Sequence, residues 1–286
     1  MNTRTLNTNT QKHKKTFFAA KVAAICGLSL VSITSMAQKG FDFGFLIGAG
    51  TTTLINKSDQ AAGAELNFKQ NISVPFGVTA GYTFNEHTGV EIDAMYSTLG
   101  QGYTGVGTAT PDPKVFSTQL AGLAAANKID ITGNFNARVA LQTVQIPVLF
   151  RYTGDRTNKI FFSSYIGPEF NMFNTAVFHI NGYEAPPTNY SVQPQNMYNR
   201  MTVDGVIGAG AGFNLAPNCV LMTTFRLDYG FQDIENKNLM FSYNGGPSEK
   251  YYGTGRGVTN SGAAGVIVTL SYKLVPKAKE APAKKK

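Results

Sequence analysis

From Ile72 to Phe84 the chain alternates in type at every step. Ile72, Val74, Phe76, Val78, Ala80, Tyr82 and Phe84 stand against Ser73, Pro75, Gly77, Thr79, Gly81 and Thr83. A period of two places the two sets on opposite faces of a strand, one apolar and one small or polar. The pattern recurs seven times. Phe41 to about Leu54 sets Phe41, Phe43, Phe45 and Ile47 against Asp42, Gly44 and Gly48. Val90 to Leu99 sets Ile92, Ala94 and Tyr96 against Glu91, Asp93 and Met95. Arg138 to Tyr152 opposes Val148, Phe150 and Tyr152 to Gln145, Pro147 and Arg151. A fifth segment from Ile160 to about Met172 carries Phe162, Ile166 and Phe170 opposite Ser163, Gly167 and Glu169. Val203 to Leu215, Val220 to Phe231 and a last strand ending at Leu274 place Asp204, Arg226, Asp228 and Lys273 on their polar faces.

The connections fall into two kinds. Short polar turns are expected around Asn85 to Gly89, Thr153 to Lys159 and Ala216 to Asn218, and long loops at about 55–71, 100–137, 174–199 and 232–259. Three short turns at one end and four long loops at the other predict an all-β fold: an eight-stranded antiparallel up-and-down transmembrane β-barrel with four long extracellular loops. Aromatic residues support it. Phe43, Phe84, Phe150, Tyr152, Phe162 and Tyr272 gather near the short-turn ends, and Tyr96, Phe170, Tyr229 and Phe231 near the other rim, as two interfacial girdles would. A soluble lipocalin-type barrel is the competing reading, with apolar faces inward and charged faces outward.

The N-terminus adds a destination. Arg4, Lys12, Lys14, Lys15 and Lys21 precede an apolar run from Val22 to Ile33 and a small-residue ending at Ala37. This predicts an export signal over residues 1–37, too short in its apolar core to span a bilayer as a helix. Lipidation at Cys26 is disfavoured by Ile25 before it. The expected domains are the signal (1–37), the barrel (38–274) and a Lys-rich periplasmic tail (275–286). Both mature termini would then be periplasmic and the long loops extracellular, in the outer membrane.

Charge excludes one class of partner. The formal net charge is +8, but residues 1–37 hold five of the 25 Lys and Arg and none of the 17 acids. The tail from Pro276 holds five more lysines and Glu280, so the body between is close to neutral. No basic face for nucleic acid is present, and outer-membrane lipids are the expected surroundings. Cys219 is the one cysteine after the signal, which rules out an internal disulfide.

The ending Met36-Ala37-Gln38, the segment Val144 to Tyr152 and the glycine-rich stretch Asp204 to Phe213 resemble the outer-membrane β-barrel family of Bacteroidota that includes PorT-like proteins. The resemblance covers about Phe41 to Leu274. It implies an outer-membrane barrel, with an association to secretion in some members. Family members usually carry glutamate where Gln145 stands, and they tend to stop at the last strand.

Candidate chemistry is sparse. Nine charged residues are expected inside the barrel: Asp42, Glu91, Asp93, Arg151, Glu169, Asp204, Arg226, Asp228 and Lys273. Such charges in a narrow lumen form ion pairs that plug it, and Glu91 and Arg151 are predicted to pair. Six acids against three bases leaves an excess. The same groups would alternatively line a small gated pore. A lipid-modifying enzyme would need a histidine beside a serine or acid at the outer rim. His87 is expected in a periplasmic turn and His179 in the third long loop, so no catalytic residue is assigned. No metal or other cofactor is expected, because the one cysteine and two distant histidines after residue 37 offer no ligand spacing. The run Gly253-Thr254-Gly255-Arg256-Gly257 reads as flexible loop, and Ala121 to Ala126 as a short helix. The expected role is a structural or interaction one at the cell envelope, as part of a secretion or transport complex, with oligomeric state open.

Overall fold

The computed structural model describes residues 40–62, 66–106, 124, 128–130, 134–184, 196–216, 218–241, 249–252 and 255–274. The expected signal region with Cys26, the Lys-rich tail and all of Ala121 to Ala126 except Ala124 lie outside the described residues.

The elements are β1 (Phe41–Asn56), a one-turn helix α1 (Lys57–Gln60), β2 (Asn67–Ser73), β3 (Phe76–Thr83), β4 (Thr88–Val106), β5 (Asn134–Thr153), β6 (Ile160–Ile180), β7 (Tyr183–Glu184), β8 (Met201–Ala216), β9 (Cys219–Gly230), β10 (Met240–Phe241), β11 (Glu249–Lys250) and β12 (Thr259–Lys273). The main sheet is ten-stranded and antiparallel, in the order β12-β9-β8-β6-β5-β4-β2-β1-β3, with β7 beside β6 and further pairings β12–β1 and β4–β3. β12 lies against β1 from Asp42 opposite Lys273 to Asn56 opposite Thr259. Strands β10 and β11 form a separate pair.

This order corrects the eight-stranded up-and-down barrel expected from alternation. The sheet has ten strands, and the simple succession of neighbours fails at β2 and β3. Pro75 is the cause of the split: it has no N–H to give the ladder. On one side β1 pairs with β3 as far as Ile47 opposite Phe76, and then with β2 from Gly50 opposite Ser73. The Gly48 N–H bridges the gap by donating to the Pro75 carbonyl at 2.7 Å. The faces survive the break, since Ile72, Val74, Phe76 and Val78 are exposed while Ser73 and Thr79 are buried. The tenth strand is the two-residue β7.

The long loops are also shorter than expected, because β4, β5 and β6 run well past their alternating cores. In β6 the extension is hidden by a bulge. Gln142 of β5 faces Thr175 but Thr143 faces Phe173, so Asn174 is an extra residue. One extra residue exchanges the faces of everything beyond it. Buried positions are Ser163, Tyr165, Glu169 and Asn171 before the bulge, and Ala176, Phe178 and Ile180 after it. His179 therefore sits in β6, opposite Arg138 and Glu184, and not in a loop.

The apolar face of the sheet points outward. Phe45 is 73% exposed, and Val78, Phe150, Ile166, Ile207, Phe225 and Leu270 are exposed with it. Charged side chains occupy the buried face. That is the inverse of a soluble barrel and removes the lipocalin alternative. The sheet curves enough for Arg226 of β9 to reach the Met95 sulfur of β4, at 3.6 Å, although these strands are not neighbours.

Candidate functional site

The buried face is built in tiers. At the short-turn end, Arg151 of β5 donates from Nη2 to Asp42 Oδ2 at 2.7 Å and from Nη1 to Glu91 Oε2 at 2.6 Å. Thr83 Oγ1 accepts from the same guanidinium at 3.2 Å. The expected Glu91–Arg151 ion pair is thus present, and Asp42 joins it. The planar fork of arginine suits two carboxylates at once.

One tier further, Arg226 of β9 pairs with Glu169 of β6 and, through Nε at 2.7 Å, with Asp228 on its own strand. Gln145 Nε2 donates to Glu169 Oε1 at 2.8 Å and to Asn171 Oδ1 at 3.1 Å. Asp204 accepts from the Ser261 hydroxyl at 2.9 Å. Short apolar contacts fill the gaps, Leu46 with Met95 and Ile267, and Leu149 with Tyr165 and Val206. Asp93 and Asp204 have no ion-pair partner among the described residues, and Lys273, half-buried at the short-turn end, has none either.

The other end is closed by a second core. Leu54, Leu99, Tyr103, Phe135, Val139, Leu141, Phe178 and Ile180 from the strands pack with Leu66, Ala124, Met197, Tyr198, Ile234, Tyr251 and Tyr252 from the connections. Above it Arg256 is clamped by Asp59 at 2.6 and 2.9 Å and by Glu235 at 2.7 and 2.8 Å. Burial alone would lower this guanidinium; the hydrogen bonds it donates to Asp59 and Glu235, and their charges, outweigh it and hold Arg256 above its ordinary value. Lys237 pairs with Glu235 and sits 4.9 Å over the Tyr252 ring. The Tyr252 hydroxyl donates to the Met197 carbonyl at 2.9 Å.

Asp59, Glu235 and Arg256 were not singled out in the sequence. Arg256 belongs to the glycine-rich run read there as flexible loop, and the structure corrects this: the side chain is the centre of a buried ion cluster. One local signal exists, since Asn56 caps α1 by accepting from the Ser58 and Asp59 N–H groups and so presents Asp59. Nothing local links Asp59 to Arg256.

His87 lies in the turn between β3 and β4, and His179 lies in β6. His87 Nδ1 lies 3.0 Å from the Thr153 carbonyl and its ring stacks on Tyr152. His179 Nδ1 is buried and has no hydrogen-bond partner among the described residues. No three His, Cys, Asp or Glu side chains among the described residues are grouped to hold a metal ion.

An outward apolar face, a charged inward face and strands joined by turns at one end are the construction of a membrane barrel, and a family model described as "Outer membrane protein beta-barrel domain" matches residues 35–236. The chain belongs to this family. It is a β-barrel outer-membrane protein. Among solved structures, the outer membrane protein OprG from Pseudomonas aeruginosa is similar at 12% identity, covering 84% of this chain and 97% of that one, with a TM-score of 0.43. A major outer membrane protein from Thermus thermophilus shows 14% identity over 81% of this chain and 98% of its own, at a TM-score of 0.38. Ail, the attachment invasion locus protein of Yersinia pestis, shows 13% identity, 82% and 99% coverage and a TM-score of 0.32. No curated relative matches the chain.

Proposed function

We propose that this outer-membrane protein is a non-catalytic, plugged barrel whose role is structural or one of interaction at the cell envelope, as an accessory of a secretion or transport complex. The observation that carries this reading is the cap. A buried apolar core and the Arg256 cluster fill the long-connection end, and the Arg151 and Arg226 clusters fill the space below it. Ion pairs whose partners are buried hold a lumen shut more readily than they conduct. A capped end offers a fixed outer surface in place of an open mouth.

In this reading residues 1–37 are an export signal, the Lys-rich tail hangs in the periplasm, both mature termini lie on that side and the capped end faces outward. The resemblance of Met36-Ala37-Gln38, Val144 to Tyr152 and Asp204 to Phe213 supports placement in the PorT-like group of Bacteroidota barrels. Outer-membrane lipids are the partners of the apolar face.

The test is conductance. The purified protein inserted in a planar bilayer is expected to give no steady current, and to gain one when Arg256, Arg151 and Arg226 are all replaced by alanine. Steady current through the unaltered protein overturns the plugged reading in favour of a small pore.

A further inference from the structure

Beyond the apolar belt, one row on the outward face of the sheet gathers positive charge. Lys69 of β2 stands opposite Gly102 of β4, Gly102 opposite Arg138 of β5, and Arg138 opposite His179 of β6. Residues directly opposite one another share a face. Their sequence neighbours Tyr103, Val139 and Phe178 point into the buried core under the cap, so this row points outward. Lys69 and Arg138 are exposed and His179 is half-buried. Asp and Glu are absent from 67–73, 100–106, 134–140 and 175–180, the stretches that carry the row. The acid next in the ladder is Glu184 of β7, opposite His179, which leaves the positive charge concentrated toward β2.

The Arg138 head is held in place. From β5 its side chain crosses β4, where Gly100 and Gly102 carry no side chain, and Nε donates to Asn71 Oδ1 of β2 at 2.6 Å. Asn71 is buried and gives its own Nδ2 to Thr52 Oγ1 at 3.4 Å, so the anchor is part of the interior. Both Nη groups are left without a hydrogen-bond partner among the described residues, and neither Arg138 nor Lys69 has an ion-pair partner there. A Cβ at Gly102 would stand 3.0 Å from the Lys69 Cβ, so the glycine also makes room for the lysine stem.

The level is that of lipid heads. Ile72, next after Asn71, is 72% exposed, and Val74 and Phe76 continue the apolar face below it. The guanidinium is therefore fixed at the rim of the lipid-facing belt, and Lys69 lies beyond Ile72 by about 10 Å of extended strand. Cations at that height meet anionic lipid heads. A fixed guanidinium with free Nη donors matches the oxygens of a phosphate, and the lysine ammonium adds a point charge beside it.

We propose that Arg138 and Lys69 bind one phosphate of an anionic lipid head in the outward leaflet, on the flank of the barrel and not in its interior. The choice of leaflet rests on the reading that the capped end faces outward.

The test uses the chain from Gln38 onward, folded in nanodiscs of phosphatidylcholine doped with diphosphorylated lipid A, with folding verified by heat-sensitive gel mobility. Lipid retained on the protein is counted by native mass spectrometry. The unaltered protein is expected to hold lipid A in preference to phosphatidylcholine and to dephosphorylated lipid A. Lys69→Gln combined with Arg138→Gln should weaken retention roughly thirtyfold, about fivefold for each surface cation. Lys159→Gln, in the turn between β5 and β6 at the opposite end, should leave it unchanged. Equal retention of phosphorylated and dephosphorylated lipid A overturns the proposal without need of a variant, and so does undiminished retention in the folded double variant. Displacement of the lipid by millimolar inorganic phosphate also overturns it, since the site would then take a free anion. Conductance stays a separate readout: a conducting protein that keeps lipid A loses the plugged reading alone, and a silent one that holds no lipid A loses this site alone.

Discussion

Arg151 and Arg226 are the residues on which the buried face depends, because each is buried and shared by two carboxylates. Removing one partner of such a pair leaves charge without compensation, at a cost of about 3–5 kcal/mol, whereas an apolar replacement of the whole group is often neutral. Arg151→Met is therefore expected to destabilise the protein by about 3–5 kcal/mol, read as a lower urea midpoint in bilayers. Adding Asp42→Asn and Glu91→Gln to it should recover most of the loss. An unchanged midpoint in the single variant would mean that water or an ion already screens Asp42 and Glu91. The parity of the strands makes these residues legible as inward-facing, and the hairpin linking β4 to β5 makes the Glu91 pair legible too. Parity alone does not say that Asp42, which is 109 residues from Arg151, completes the cluster.

At the scale of elements, alternation reports which way a side chain points but not how far a ladder runs. Ile72 to Thr79 shows both sides of this. Its faces are those that the pattern implies, yet the strand is broken by Pro75: the register against β1 runs on unchanged across the break, while β4 is offset by one residue between β3, with Phe76 opposite Tyr96, and β2, with Gln70 opposite Gln101. In β6 the failure is of another kind. Asn174 interrupts the period, so the apolar residues Ala176, Phe178 and Ile180 fall out of phase and the strand seems to end. Because the bulge itself causes that exchange, deleting Asn174 should join the two halves into one regular strand with the same residues inward. The deletion variant is expected to fold, with Phe178 and Ile180 still protected from hydrogen exchange. Deleting Ile166 from the regular part of the ladder should instead turn the strand end inside out and prevent folding. If both deletions behave alike, the register shift at Asn174 does not govern the faces of β6.

Across the whole molecule, two interiors meet: a charged one among the strands and an apolar one under the connections. The cap depends on contacts between segments far apart in the chain, Asp59 and Arg256 being separated by 197 residues, and for that reason no local pattern announces it. Arg256 joins α1 to the segments on either side of β10 and β11, while the strands below are joined by their own ladders and by Arg151 and Arg226. The two parts should then open separately, the cap at a lower free energy than the sheet. Arg256→Met removes the cation that Asp59 and Glu235 share and leaves Lys237 on Glu235 alone. Here the carboxylates escape by letting water in, so the cost falls on cap closure and not on the strands. Limited proteolysis of the bilayer-inserted variant should cleave the long connections many times faster than in the unaltered protein, with the thermal midpoint of the strands nearly unchanged. Equal falls in both readouts would mean that cap and sheet form one cooperative unit, and that the cap is part of what keeps the strands folded.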